Sequence, residues 1–356
     1  MTLFEKIKNY WPFGAKKMRA IGFEHALAID QHNVFIEKKI SRPKPTEHEI
    51  LVKVAASAVN PVDIKMRNNY QNDGQFRILG FDAVGEVVAT GSGVTKFAVG
   101  DQVFYAGVQI NQGAHAQYQT VHELLAGFAP TALNAAEAAA MPLTSITATE
   151  ILKDAFGYDI RENVAVGKSV FILNGAGGVG STLIQLAKYI GMTVITTASQ
   201  PDSVAWVKSL GADYILDYHQ NLHDQLIQIN HEKVDYIAIL QDTNAYWPLA
   251  LMSIKPFGRI ASIVETTAPI DIGPLKNIGA QFNWVFMFAK GNYGVNMASQ
   301  GEALNRVAEL LDEGRIKSTL NKTYTGLTAE NLQQATKVVE DGHMIGKAVV
   351  IHEVSS

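Results

Sequence analysis

Two periodicities divide the chain. Up to about Ala126, short apolar runs bounded by turn residues recur. Ile50-Leu51-Val52-Lys53-Val54 and Ala83-Val84-Gly85-Glu86-Val87-Val88 are two of them, and Gly91-Ser92-Gly93 and Gly100-Asp101 read as turns. Strands at this spacing predict a barrel-like or partly open β unit. Residues 134–140 are then rich in Ala, the strongest helix former, Pro142 interrupts, and 144–152 predicts a second helix. From Ser169 on, strands and helices alternate. Val170-Phe171-Ile172-Leu173 is a continuous apolar run, the pattern of a strand buried on both faces. Helices predicted over 181–190 and 204–210 each stop at a glycine, Gly191 and Gly211, and strands are predicted at 194–197, 214–216, 234–239 and 259–264. This alternation predicts an α/β doubly wound parallel sheet. Two amphipathic helices, 304–311 and 329–339, and a strand over 347–351 close the chain.

Composition narrows the classes. A chain of 356 residues suggests about two domains. Its 18% charged and 47% hydrophobic residues exclude disorder. With 30 Lys and Arg against 34 Asp and Glu, the net charge of -4 lacks attraction for phosphate backbones, so no nucleic-acid partner is expected. The absence of Cys removes disulfides, thiolate nucleophiles and Cys-built zinc sites, and fits a reducing, cytoplasmic setting. No apolar run reaches the ~18 residues of a membrane span. Residues 1–17 carry Lys6, Lys8, Lys16 and Lys17 among Phe4, Tyr10, Trp11 and Phe13, and Pro12 interrupts any helix there. They read as an N-terminal arm, either frayed or a basic-aromatic surface anchor, without the apolar stretch of a signal peptide.

The sharpest chemical signal is Asn174-Gly175-Ala176-Gly177-Gly178-Val179-Gly180. Gly175, Gly177 and Gly180 satisfy G-x-G-x-x-G. Alone the pattern is weak, but here an apolar strand precedes it and a helix follows. One glycine makes the tight turn, the next lets the backbone approach a pyrophosphate, and the third lets helix and strand pack closely. The helix N-terminus then offers free N–H groups to phosphates. The alternative is a tight strand-to-helix turn with no ligand. Ser199 stands ~20 residues past the glycines, where NAD sites carry an acid that bonds the ribose 2′-OH. Without that acid a 2′-phosphate meets no repulsion, which favours NADP over NAD. No Arg stands beside Ser199, however, and Lys208 lies further along the next helix.

Further segments join this cluster: Val-Asn-Pro-Val-Asp-Ile-Lys-Met-Arg over 59–67, Gly-Phe-Asp-Ala-Val-Gly-Glu-Val over 80–87, Met-Pro-Leu-Thr-Ser-Ile-Thr-Ala over 141–148 and Gly-Lys-Ala-Val-Val over 346–350. With them the chain resembles the medium-chain dehydrogenase/reductase superfamily over about residues 18–352. Within it, the likeness is to zinc-lacking quinone oxidoreductases and zinc-type alcohol dehydrogenase-like proteins. The resemblance implies a GroES-like β-barrel catalytic domain over 18–149, completed by 291–356, and a Rossmann domain over 150–290. NADP(H) would lie in the cleft, and homodimers are common in relatives. By position, Thr144 would lie near the nicotinamide, and Gly177, Gly178 and Val179 at the pyrophosphate, with Gly175 and Gly180 completing the turn. Ser199 would meet the adenosine ribose and Tyr218 the adenosine phosphate. Val264, Phe286 and Phe288 would flank the nicotinamide, and Lys347 would approach from the last strand.

Zinc enzymes of the superfamily hold their catalytic metal with two Cys and one His. The corresponding positions here are Asn60, Phe81 and a place near Thr144 or Ser145, so no metal is expected. No two of His25, His32, His48, His115 and His122 show the i,i+4 spacing of a helical metal pair. Without a Lewis acid, reduction of a simple ketone loses several kcal/mol of oxyanion stabilisation. A quinone or α,β-unsaturated carbonyl spreads the charge, and hydrogen-bond donors then suffice, one being worth roughly 2.7–4 kcal/mol elsewhere. The loop 60–67 supplies catalytic candidates in Asn60, Asp63 and Lys65. Each has a plainer reading: Asn60 as a turn former, Asp63 as a cap, Lys65 as a solvated cation. Arg67 reads as a surface or salt-bridge residue. Tyr70, Phe76, Trp284 and Phe286 are candidates for an apolar pocket wall or for plain core. The expected activity is NADPH-dependent hydride transfer to a quinone or enone. A cofactor-binding redox sensor without turnover and a zinc-dependent alcohol dehydrogenase remain as alternatives.

Overall fold

The computed structural model describes residues 16–352. All but the last two residues of the N-terminal arm expected over 1–17 therefore lie outside the described residues. The strands, in chain order, are β1 (Lys17–Gly22), β2 (Ile36–Ser41), β3 (Glu49–Val59), β4 (Ala83–Thr90), β5 (Gln102–Tyr105), β6 (Tyr118–His122), β7 (Ala126–Phe128), β8 (Ser169–Leu173), β9 (Thr193–Thr197), β10 (Tyr214–Leu216), β11 (Val234–Ile239), β12 (Ile254–Ser262), β13 (Gln281–Trp284), β14 (Leu320–Thr325) and β15 (Lys347–Ile351). The helices are α1 (Pro61–Asn68), α2 (Ala135–Ala139), α3 (Pro142–Glu150), α4 (Gly178–Tyr189), α5 (Pro201–Ser209), α6 (Leu222–Gln228), α7 (Thr243–Ser253), α8 (Gly273–Asn277), α9 (Phe288–Tyr293), α10 (Ala298–Asp312) and α11 (Ala329–Glu340).

The doubly wound sheet runs β10-β9-β8-β11-β12-β13, with every pairing parallel. Its middle strand explains the apolar run in the sequence. Alternate residues of β8 serve opposite faces. Val170 and Ile172 join one core with Leu183, Ile184 and Ala238, while Phe171 and Leu173 join another with Ile195, Ile237 and Trp247. Strand order reverses between β8 and β11, and the crevice at that point is where ligands of such sheets bind.

The second sheet runs β14-β15-β3-β4-β5-β7, with β6 on β3. The C-terminal strand β15 pairs antiparallel with β3, from Ala348 opposite Val59 to Ile351 opposite Ala56. The end of the chain therefore completes the sheet begun near its start. Val349 and Val350 of β15 belong to the same apolar core as Val170 and Ile172 of β8. One continuous core thus joins the two sheets. The backbone also crosses between them: Gly346 N donates to Ala176 O at 2.9 Å, inside the glycine turn.

Residues 60–67, read from sequence as a loop, form the helix α1. Asn60 stands at its N-cap and Pro61 at its first turn. The Asp63 carboxylate reaches back to accept the Asn60 N–H at 2.8 Å. Asn-Pro-x-Asp is a helix-start signal in its own right. Helix α4 begins at Gly178, ahead of the predicted Ser181, because Gly177 serves as its N-cap.

Candidate active site

The carboxyl ends of β8, β11 and β12 face the start of α1 and the start of β15 across a cavity of about 980 Å³. Asn60, Lys65, Thr144, Gly177, Gly178 and Val179 are on its wall, as are Gly180, Val264, Phe286, Phe288 and Lys347. Asp63, Gly175, Ser199 and Tyr218 are not. Tyr70 lines the cavity, but Phe76 and Trp284 do not: Phe76 packs on a small core with Met18 and Ile78, and Trp284 is 53% exposed on β13.

At the cavity floor three buried polar side chains lock together. Lys347 Nζ donates to Asp82 Oδ2 at 2.7 Å and to Asn60 Oδ1, with Val59 O further off at 3.4 Å. Asn60 Nδ2 donates to the same Asp82 oxygen at 2.8 Å. The other Asp82 oxygen accepts the Leu143 N–H at 2.6 Å, at the start of α3. Asp82 thus ties α1, α3 and β15 together. Burial raises its carboxyl, and the Lys347 charge and the Leu143 N–H oppose that rise. Sequence reasoning passed over Asp82, although it lies in the 80–87 segment that carries the resemblance. The available signal was an acid in an otherwise apolar stretch, Leu79 to Val84.

Asp63 lies one layer behind. Its oxygens accept Asn60 N–H at 2.8 Å and Gly80 N–H at 2.7 Å. Burial pushes its carboxyl up to about 7, against those two bonds and Lys347. The side chain is 2% exposed and does not reach the cavity, so its catalytic reading gives way to that of a helix cap. Lys65 lines the cavity at its mouth. Its ammonium donates to both oxygens of Glu265 at 2.8 and 2.9 Å, bridging α1 and the segment after β12. That bond, with Lys65's charge behind it, lowers the Glu265 carboxyl. Arg67 is buried, and its Nη2 donates to Glu340 at 2.7 Å, at the end of α11.

The glycine turn is built against its neighbours. A Cβ on Gly178 would stand 2.9 Å from Lys347 Cδ and 3.0 Å from Thr144 Cγ2. A Cβ on Gly180 would meet Asn174 O at 2.3 Å, where the helix packs on the strand. Bare backbone therefore faces the cavity at the N-terminus of α4, a cradle suited to a pyrophosphate. Thr144 Oγ1 accepts a hydrogen bond from Thr182 and donates to Met141 O at 3.1 Å. Ser199 follows the end of β9, and its Oγ is buried with no hydrogen-bond partner among the described residues. Tyr218 is 44% exposed beyond β10. Both lie on the carboxyl-end side of the sheet, as the turn does, and the residues present fit a dinucleotide.

Residues 46–144 match the family described as Alcohol dehydrogenase GroES-like domain, and residues 210–350 match Zinc-binding dehydrogenase. A zinc-type alcohol dehydrogenase-like protein of Staphylococcus epidermidis is 39% identical over 334 residues, covering 94% of this chain and 99% of that protein. The chain is a medium-chain dehydrogenase/reductase. Among other members of the superfamily, the chloroplastic NADPH-dependent alkenal/one oxidoreductase of Arabidopsis thaliana is 30% identical, covering 88% of this chain and 75% of that protein. The structure of the quinone oxidoreductase from Coxiella burnetii superposes with a TM-score of 0.78 at 28% identity, covering 95% of this chain and all of that one. This medium-chain dehydrogenase/reductase is thus an oxidoreductase by family.

The family description raises zinc, and the donor set of this medium-chain dehydrogenase/reductase does not fit it. Phe81 is buried with its ring 5.2 Å from that of Phe288. Asn60 and Asp82 already hold the Lys347 ammonium, so a second cation there would meet like charge. Among the described residues no group of three or more His, Cys, Asp or Glu could hold a metal ion.

Proposed function

We propose that the protein is an NADPH-dependent reductase of quinones or α,β-unsaturated carbonyls that works without zinc. The observation that carries this reading is one cavity that joins a dinucleotide cradle to a buried, hydrogen-bonded polar cluster in place of metal ligands. When bound, NADPH supplies a hydride to the conjugated carbon of the acceptor, and a proton from water completes the reduction. The N–H groups at Gly178 and Val179 hold the pyrophosphate, in the turn shaped by Gly175, Gly177 and Gly180. Ser199 bonds the adenosine ribose and presents no carboxylate to a 2′-phosphate, and Tyr218 covers the adenosine side. Thr144, Val264, Phe286 and Phe288 orient the nicotinamide and exclude water from it. Asn60 keeps one amide hydrogen beyond the one given to Asp82. Lys65, paired with Glu265, closes the mouth.

The relative named as an NADPH-dependent alkenal/one oxidoreductase supports the acceptor class. A cysteine-free chain is consistent with work in the cytoplasm, and among the described residues no helix is long and apolar enough to cross a membrane. We also propose a homodimer. To test the main reading, NADPH and NADH oxidation are followed with a panel of quinones and 2-enones, with and without chelator. We expect turnover of at least one acceptor, NADPH preferred over NADH, and no effect of chelator. Silence with every acceptor, or dependence on added zinc, would overturn it.

A further inference from the structure

Among the described residues the cavity wall carries three cationic side chains, Lys65, Arg77 and Lys347. The first two are 48% and 43% exposed and paired at the mouth with Glu265 and Asp73. Water and salt screen such pairs. Lys347 is 4% exposed. Its stem crosses Gly178, and its head turns toward Asn60 on the opposite wall. We infer that the Lys347 ammonium is the catalytic residue that holds the developing oxyanion of the acceptor, with Asp82 as its positioning residue. This rests on the reductase reading.

Three observations carry it. First, the cation is held still. Asp82 grips it with one oxygen and is itself fixed by Leu143 N–H and the Asn60 amide. A charge fixed before reaction needs no reorganisation as the oxyanion forms. Second, a buried ion pair is a weak source of stability, since well-packed apolar residues of similar volume often serve as well or better. Its place on the cavity wall points to use there. Third, the contact to Val59 O is long, at 3.4 Å. The hydrogen facing it is weakly held, and an acceptor oxygen at ordinary hydrogen-bond distance is a better partner. As hydride reaches the conjugated carbon, the displaced π pair moves onto the acceptor oxygen. The ammonium's attraction grows with that charge, so it favours the transition state over bound substrate.

Removing Lys347 alone would leave Asp82 buried and unpaired, so the test uses the double variant Lys347→Met/Asp82→Asn. Lys347→Gln, which keeps a donor for Asp82, is the second variant. The probe is 4-nitrophenol, whose ionisation is read by its colour in the presence of protein and NADP. In the unmodified protein we expect the bound probe to ionise about one pH unit lower than free probe, tenfold in equilibrium. Both variants should lose that shift. Their kcat should fall roughly 10²-fold, the loss seen when an oxyanion donor is removed elsewhere. NADPH affinity should stay within about threefold, separating chemistry from binding. The inference is overturned if the unmodified protein shows no shift, if the variants keep it, or if NADPH affinity weakens in step with kcat, which would make Lys347 a cofactor ligand. The probe needs no turnover. An inactive enzyme that still lowers the probe's ionisation would sink the reductase reading alone.

Discussion

Gly178 and Gly180 sit two positions apart in one turn and answer to different neighbours. A methyl on Gly178 meets no backbone, only side-chain carbons, Lys347 Cδ at 2.9 Å and Thr144 Cγ2 at 3.0 Å, and the Lys347 stem can bend aside while its ammonium stays on Asp82. A methyl on Gly180 meets Asn174 O at 2.3 Å and Gly175 Cα at 2.7 Å, which cannot move without lifting α4 off β8. Gly180→Ala should therefore lower unfolding free energy by about 1–3 kcal/mol, the usual toll of overpacking, read from urea denaturation. Gly178→Ala should leave that midpoint nearly unchanged and weaken NADPH binding about tenfold, since it closes the approach to the turn. Equal effects on stability and binding in the two variants would refute the cradle. The glycine pattern and its two flanking elements were legible in sequence. Which glycine serves packing and which serves the ligand depends on Lys347, 169 positions downstream of Gly178 by residue number, lying across the turn. Asp63 shows the same limit. Its spacing from Asn60 suits a cap and a catalytic acid equally, and only its two backbone hydrogen bonds decide between them.

Between elements, β3, the stretch before β6 and the end of β15 meet in a buried polar knot. Ser57 Oγ lies 2.9 Å from His115 Nδ1 and 2.7 Å from His352 Nε2. One hydroxyl proton serves one ring, and the other ring donates its N–H to the oxygen. Burial pushes both histidines down to about 3. An unfolded chain would protonate them near 6.5, so their contribution is complete above that pH and is lost as pH falls toward 3. Asp63 opposes them: raised from 3.8 to about 7, it stabilises at low pH and loses that contribution as pH rises toward 7. Asp82, also raised by burial, opposes them as well, so what is tested is the histidines' own share: between pH 6 and 4 the protein should lose more stability than a variant without them. Urea midpoints across that range check it. In a His115→Asn/His352→Asn variant the slope should flatten or reverse, and an unchanged slope would exclude the knot as the cause. The α1 helix belongs to this level too. Its mixed apolar pattern hid it, while Asn60-Pro61-x-Asp63 announced its start.

Across the two sheets runs a single apolar core, from Val170 of β8 to Val350 of β15. The outer edge is different. β13 ends the six-stranded sheet with its far side unpaired among the described residues, and Trp284 is half exposed on it. Open edges with large apolar side chains invite pairing. The proposed homodimer would cover this edge with a second copy, as two-fold symmetry allows. Light scattering should give twice the 38.8 kDa chain mass. Trp284→Lys, which sets like charges against each other across the two-fold, should shift the protein to monomer. A dimer unmoved by that substitution would locate the interface elsewhere.

The sequence by itself determined the strand–helix alternation of the doubly wound sheet, the glycine turn and the lack of zinc donors. Each of these is written in neighbouring residues, through periodicity, glycine spacing, the absence of Cys or a Phe where a zinc-binding His would stand. Tertiary structure decided which polar groups share a site. Asn60, Asp82, Leu143 and Lys347 come from four separate segments, and only the return of β15 onto β3 brings the ammonium to the carboxylate. Contacts made by chain closure over nearly 300 residues leave no local pattern to read, because the forces that select them act only once both sheets have formed.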